Sequence, residues 1–253
     1  MLAELQFGGK AVVVTGAASG IGRAAAAVLG ELGARVYAFD RNAEGLADVE
    51  REFKAAGFAC EAVAADVTSE ADAQALRDRL KRDGARLKAL VNNVGTNRIM
   101  LAEDMSVAQW NELITLNLTS AFIMSRTLMP LLIAEGGAIV NVSSGYGMIG
   151  GPRMPAYSAS KAGVIGLTRQ LSVDYGAPGV RVNVVCPGLT LTERVKGYVE
   201  KGLVDAADTG RRVLSGRFAQ PREIGNVIAF LASDASSYMN GAVVPVDGGQ
   251  TAA

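Results

Sequence analysis

Short runs of mostly apolar residues recur along the chain, and between them lie longer stretches in which apolar residues return every three or four positions. Continuous apolar runs bounded by turn residues read as strands buried on both faces, and the periodic stretches read as helices. The pattern predicts strands over 10–15, 34–40, 60–65, 87–91, 138–142, 180–186 and 243–246. It predicts helices over 20–32, 43–56, 70–81, 107–118 running on through 122–132, 156–175 and 222–232. Strand and helix alternate, so the expected class is α/β, with a doubly wound parallel sheet of about seven strands covered by helices on both faces. No biased linker, repeat or low-complexity tract interrupts the alternation, and a single domain over 1–253 is expected.

Composition narrows the chemistry more than the fold. Lys+Arg and Asp+Glu both number 25, so nothing supplies the basic footprint that a nucleic-acid partner needs. The chain has no histidine, which removes His-based nucleophile triads and His-ligated metal sites. Its two cysteines, Cys60 and Cys186, lie in apolar strand-like runs and read as buried thiols, not as a disulfide or metal site. Apolar runs such as 11–14 and 128–134 fall far short of the ~20 residues that cross a bilayer. The first ten residues lack a basic start followed by an apolar stretch, so no secretory signal is read and a cytoplasmic setting without a membrane partner is expected.

The first strand runs into Thr15-Gly16-Ala17-Ala18-Ser19-Gly20-Ile21-Gly22, which opens the first helix. Gly16 suits the tight turn, Gly20 lets backbone approach a pyrophosphate, and Gly22 lets helix and strand pack closely; the helix N-terminus offers free N–H groups to phosphate. The glycines are spaced four then two, unlike the general dinucleotide fingerprint, and a plain strand-to-helix connection is the alternative. Asp40 ends the second strand 18 residues after Gly22, where an acid holds ribose hydroxyls and repels the extra phosphate of NADP. NAD is therefore favoured over NADP, although Arg41 next to it is suited to a 2′-phosphate. Asp66, after the third strand, reads either as an acceptor for the adenine amino group or as a cap for the helix near Glu70.

Further along, Tyr157 and Lys161 stand four residues apart in a predicted helix, which puts both on one face. A cation beside a phenol favours the phenolate and moves it toward the range of general acid–base catalysis.

These features resemble the short-chain dehydrogenases/reductases, in the short single-domain branch of 3-oxoacyl carrier-protein reductases, sugar dehydrogenases and hydroxysteroid dehydrogenases. The motifs are the Thr15–Gly22 turn, Asp66-Val67, Asn92-Asn93-Val94-Gly95, Asn117, Val142-Ser143-Ser144, Tyr157-x-x-x-Lys161, Pro187-Gly188-x-x-x-Thr192 and Val246-Asp247-Gly248-Gly249. Val94 replaces the usual alanine, and Met239-Asn240-Gly241 stands where Thr-Gly is common. The resemblance implies a Rossmann-type fold and a catalytic set of Asn117, Ser144, Tyr157 and Lys161. Ser144 is chosen over Ser143 because it precedes Tyr157 by 13 residues, the family's spacing. In those roles Tyr157 moves the proton, Lys161 lowers the phenol pKa and holds the nicotinamide ribose, Ser144 holds the substrate oxygen, and Asn117 anchors a water.

The resemblance also assigns cofactor contacts to Gly16, Ser19, Gly20, Ile21, Gly22, Asp40, Arg41, Asp66, Val67, Asn93, Gly95, Tyr157, Lys161, Pro187, Gly188, Thr190 and Thr192. Substrate contacts fall to Ser144, Tyr146, Arg153, Met154 and Tyr157, with Met148, Asn97 and Arg98 nearby. A substrate lid is expected over about 189–215, with Tyr198, Val199, Leu203 and Arg211. The implied activity is NAD-dependent interconversion of a secondary alcohol and a ketone by a homotetramer. Its alternatives are an NADPH-dependent 3-oxoacyl-thioester reductase and a non-catalytic nucleotide sensor.

Overall fold

All five residues of β1 (Ala11–Thr15) are buried, and they divide between two cores. Val12 and Val14 pack on one side of the sheet, Ala11 and Val13 on the other. A strand whose alternating side chains both meet protein has no polar face, which is why the predicted strands read as unbroken apolar runs. The computed structural model describes residues 2–202 and 213–252. The remaining strands are β2 (Arg35–Asp40), β3 (Cys60–Ala64), β4 (Leu87–Asn92), β5 (Ala138–Val142), β6 (Arg181–Pro187) and β7 (Val243–Val246). They form one parallel sheet in the order β3-β2-β1-β4-β5-β6-β7. The expected doubly wound Rossmann-type sheet of seven strands is present.

The helices are α1 (Gly20–Glu31), α2 (Ala43–Ala55), α3 (Glu70–Arg82), α4 (Val107–Ile114), α5 (Ser120–Glu135), α6 (Gly145–Met148), α7 (Pro155–Tyr175), α8 (Glu193–Glu200) and α9 (Pro221–Ala232). Helices α1, α2 and α9 cover the Val12/Val14 face; α3, α5 and α7 cover the other. Helix α1 lies close on α9, where a Cβ on Gly225 would meet Ala24 backbone at 3.1 Å. The short α6 and α8 lack the periodic run that reveals a longer helix, and the sequence reading leaves both out.

The helix predicted over 107–118 and running on through 122–132 is one continuous element, Val107–Glu135, in which α4 and α5 are joined by a π-helical segment, Thr115–Thr119. Its start is fixed by a capping box between Ser106 and Gln109, and its end by Gly136 in the left-handed conformation (φ 55°). At 29 residues and a mean hydropathy of 1.3 it has the length and composition of a membrane span, unlike the short runs visible in the sequence. Here it serves as a core helix, with Met124, Leu128 and Leu132 fully buried against the sheet.

The sheet order reverses between β1 and β4, so the loops leaving these two strands diverge and open a crevice at their carboxyl ends. Gly16, Asp40, Asn93, Ser144 and Gly188 follow or end five different strands, and the topology alone brings them to this edge.

Candidate active site

A cleft of about 750 Å³ runs along the carboxyl edge of the sheet. At one end Gly16 (φ 70°) and Gly20 (φ 56°) turn the chain from β1 into α1. A Cβ on Gly16 would lie 2.7 Å from Asn93 Nδ2, and one on Gly22 would lie 2.1 Å from the Gly16 carbonyl oxygen. Gly22 therefore packs the helix as expected, while Gly16, Ser19, Gly20 and Ile21 face the cleft. Ser19 caps α1 in an extended conformation but makes no side-chain cap bond, so the first N–H groups of the helix face the opening. Asn93 ties the two strand ends together: its N–H donates to Thr15 Oγ1 at 3.0 Å and its amide to the Thr15 carbonyl at 3.0 Å.

Asp40 lines the same end, its carboxylate accepting from Ala18 N at 3.1 Å and Asn42 N at 2.9 Å. Asp66 accepts from both the N–H and the hydroxyl of Thr68 at 2.8 Å, bonds that hold its carboxyl below the usual range. The alternative reading of Asp66 as a helix cap fails, because Ser69 caps α3. Arg41 and Val67 also line this end, as do Pro187, Gly188, Thr190 and Thr192 on the opposite wall. A glycine cradle, open helix N–H groups and a carboxylate at the end of β2 form a site that fits a dinucleotide.

The proton-handling groups gather at the other end. Lys161 is buried (3% exposed) and its Nζ donates to the Val142 carbonyl at 2.8 Å. The same Nζ lies 5.9 Å from the centre of the Tyr157 ring. Gly95 packs against this ammonium, and a Cβ there would sit 2.8 Å from Lys161 Nζ and displace it. Ser143 and Ser144 are adjacent, yet their hydroxyls differ in use. Both line the cleft, but Ser143 Oγ donates to the Lys161 carbonyl at 2.7 Å and is consumed in the scaffold, whereas Ser144 Oγ accepts from Tyr146 N at 3.1 Å and keeps its proton for another partner. Asn117 lies in the π-helical segment, where the widened turn aims its side chain inward. Its Oδ1 accepts from Thr96 N at 2.8 Å, and its Nδ2 donates to the Thr96 carbonyl and to Ser160 Oγ, each at 2.9 Å.

Burial sets the charge states. It pushes the Tyr157 phenol up; hydrogen bonding with Ser144 and the positive charge of Arg194 act against that rise. Lys161 is pulled down to about 8, chiefly by burial and further by Arg194. The sequence reading makes Lys161 the group that lowers the phenol pKa; its ammonium lies 5.9 Å from the Tyr157 ring and donates to the Val142 carbonyl, and Arg194 is a second cation that acts on Tyr157.

On the substrate side, Tyr146, Met154, Asn97, Arg98 and Tyr198 border the cleft, and Tyr198 donates to Asn97 Oδ1 at 3.2 Å. Arg153 does not: it is exposed with φ 58°, and its backbone carbonyl accepts from Met100 N at 2.7 Å. Met148 is also exposed and outside the cleft. Leu203 and Arg211, with positions 203–212 of the expected lid, lie outside the described residues. Arg194, Thr96 and Glu112 line the cleft without having been singled out from the sequence. Arg194 falls inside the expected lid, two residues after Thr192.

Comparison with known proteins agrees with this arrangement. A family profile described as Enoyl-(Acyl carrier protein) reductase matches residues 16–251. The chain is 43% identical over 248 residues to a cis-4-hydroxycyclohexanecarboxylate dehydrogenase from Sinomonas cyclohexanicum, covering 97% of this chain and 98% of that one. It is 38% identical to a D-threitol dehydrogenase from Mycolicibacterium smegmatis, covering 98% and 95%. Among solved structures, a putative NAD(P)-dependent gluconate 5-dehydrogenase from Beutenbergia cavernae with bound NADP superposes with a TM-score of 0.90 at 38% identity, covering 99% and 100%. A relative holding NADP corrects the expectation that this cofactor is the less favoured. The physical reason lies in the chain itself, where the cation of Arg41 lines the cleft beside Asp40. With a dinucleotide cradle and a Ser-Tyr-Lys set on one sheet edge, and kinship over nearly its full length, the chain belongs to the short-chain dehydrogenase/reductase family and is an NAD(P)-dependent oxidoreductase acting on CH–OH groups.

Proposed function

We propose that this chain interconverts a small or medium secondary alcohol and its ketone, with Tyr157 as general acid and base. The observation that carries the reading is the convergence of Tyr157, Ser144 and buried Lys161 on the cleft that also holds the glycine cradle. The nicotinamide cofactor, when bound, supplies or accepts the hydride. Gly16, Ser19, Gly20, Ile21, Asn93 and Gly95 would hold its phosphates and riboses, with Asp40 and Arg41 at the adenosine ribose and Asp66 and Val67 at the adenine. Pro187, Gly188, Thr190 and Thr192 would close the opposite wall.

In oxidation the substrate hydroxyl gives its proton to the Tyr157 phenolate as hydride leaves the carbinol carbon; reduction returns the proton from the phenol. Ser144 donates to the substrate oxygen and stabilises charge as it develops there. Lys161 orients the cofactor ribose, and Asn117 holds Thr96 and Ser160 in place around it. Both cofactors are accommodated: Asp40 favours NAD, and Arg41 gives NADP a counter-charge. Cys60 and Cys186, buried and unpaired in β3 and β6, suit a reducing cytoplasmic setting.

The test is a screen of purified protein against cyclic alcohols, polyols, their ketones and a 3-oxoacyl thioester, with NAD and NADP, following nicotinamide absorbance. Cyclic alcohols and polyols are expected to turn over. A preference for the thioester would move the reading to acyl-chain reduction, and no turnover with any compound would favour a nucleotide sensor.

A further inference from the structure

The cleft contains a cation that the proton-handling set does not require. Arg194 lies in the first turn of α8, and its Nη1 donates to the Gly95 carbonyl at 2.9 Å. That neutral bond fixes the guanidinium over the cleft and leaves its remaining N–H groups for another partner. Neighbouring charges are already matched: Arg98 pairs with Glu112 at 2.8 Å and Glu193 with Lys196 at 2.8 Å. Among the described residues no acid pairs with Arg194.

Gly95, whose carbonyl Arg194 holds, packs against Lys161 Nζ, where a Cβ would lie at 2.8 Å, so the guanidinium is close enough to lower the pKa of both Tyr157 and Lys161. Beside a buried ammonium, a second permanent cation is unfavourable, and an anion bound at the guanidinium would offset it. The cleft that holds Arg194 and Tyr157 is also lined by apolar Ile99, Met154 and Val195, which suit a compact apolar body.

We propose that the substrate is a hydroxy acid, a secondary alcohol whose carboxylate is bound by Arg194 while its carbinol oxygen meets Ser144 and Tyr157. The proposal rests on the oxidoreductase reading above and names the class of substrate within it. The guanidinium fork donates two parallel N–H bonds to a carboxylate, so its loss is felt mainly by the charged substrate.

The experiment compares the wild type with Arg194→Gln and Arg194→Lys on 4-hydroxycyclohexanecarboxylate and on its primary amide. The quantity read is the ratio of the two kcat/KM values. The wild type is expected to favour the acid by about tenfold or more, the range of a charge-assisted contact, with the ratio near one in Arg194→Gln and partly restored in Arg194→Lys. A ratio that does not change with residue 194 overturns the proposal.

Calorimetric titration of the cofactor-saturated protein with unreactive cyclohexanecarboxylate reads the same contact without turnover. Binding weakened by about tenfold or more in Arg194→Gln supports the subsite even if no alcohol reacts, in which case the redox reading alone fails. If Arg194→Gln instead weakens NAD or NADP binding and leaves cyclohexanecarboxylate binding unchanged, the cation serves the cofactor phosphates and the proposal falls.

Discussion

Burial acts on Tyr157 and Lys161 in opposite directions on the pH scale, raising the phenol and lowering the ammonium, and both changes favour the neutral form. Alcohol oxidation needs the phenolate, so its kcat/KM should rise with pH through an apparent ionisation that belongs to the coupled pair. Carbonyl reduction needs the phenol and should fall over the same limb. Because Arg194 opposes the rise at Tyr157, Arg194→Gln should move the limb to higher pH in profiles taken with an uncharged alcohol. A limb that stays in place would mean the guanidinium charge does not reach the phenol. The absence of histidine leaves no imidazole to produce a limb between pH 6 and 8. Tyr157→Phe keeps the ring and removes the proton, so kcat should drop by roughly 10²–10⁴-fold in steady-state assays. Cofactor affinity, measured by titration, should change little.

At the scale of the element, the π-helical segment between α4 and α5 is the device that decides where Asn117 points. Its widened turn inserts Asn117 between the loop after β4 and helix α7, through Thr96 and Ser160. Asn117→Ala leaves the Thr96 N–H and the Ser160 hydroxyl without this partner in a buried setting. The expected cost is about 1–3 kcal/mol, which for a chain of this size lowers Tm by several degrees in a thermal melt. Activity should fall with it, because Thr96 and Lys161 share the wall of the cleft. A variant with unchanged Tm and kcat would show that the segment does not depend on this side chain.

For the whole molecule, the exposed faces of the helices suggest assembly. Phe122 is 44% exposed, Val173 77% and Phe230 36%, with Ile133 also outside the core. Apolar surface left on α5, α7 and α9 after the sheet is covered fits contact with further copies of the chain, in line with the homotetramer implied by the family resemblance. Light scattering at micromolar concentration should give a mass well above one subunit, and Phe122→Asp with Val173→Asp should lower it. A wild-type monomer would remove the expectation.

The sequence by itself determined the class of sheet, and it picked out the glycine turn and the Tyr157–Lys161 pair that the structure brings to one cleft. Apolar runs such as Ala11–Thr15 report burial on both faces, and Gly16, Gly20 and Gly22 report backbone demands that hold in any environment. These are local properties, fixed by periodicity and by the missing Cβ. What tertiary structure decided is which side chains meet. Ser143 is spent on the Lys161 carbonyl and Ser144 is not; Arg153 stays outside the cleft while Arg194 lines it; Ser69 and not Asp66 caps α3. The π turn inside the helix that runs from 107 through 132 likewise depended on packing, since the sequence carries no local signal for the extra residue. The ionisation of Tyr157 is a tertiary property too: burial raises the phenol, and Ser144 and Arg194, 37 positions further along the chain, oppose that rise.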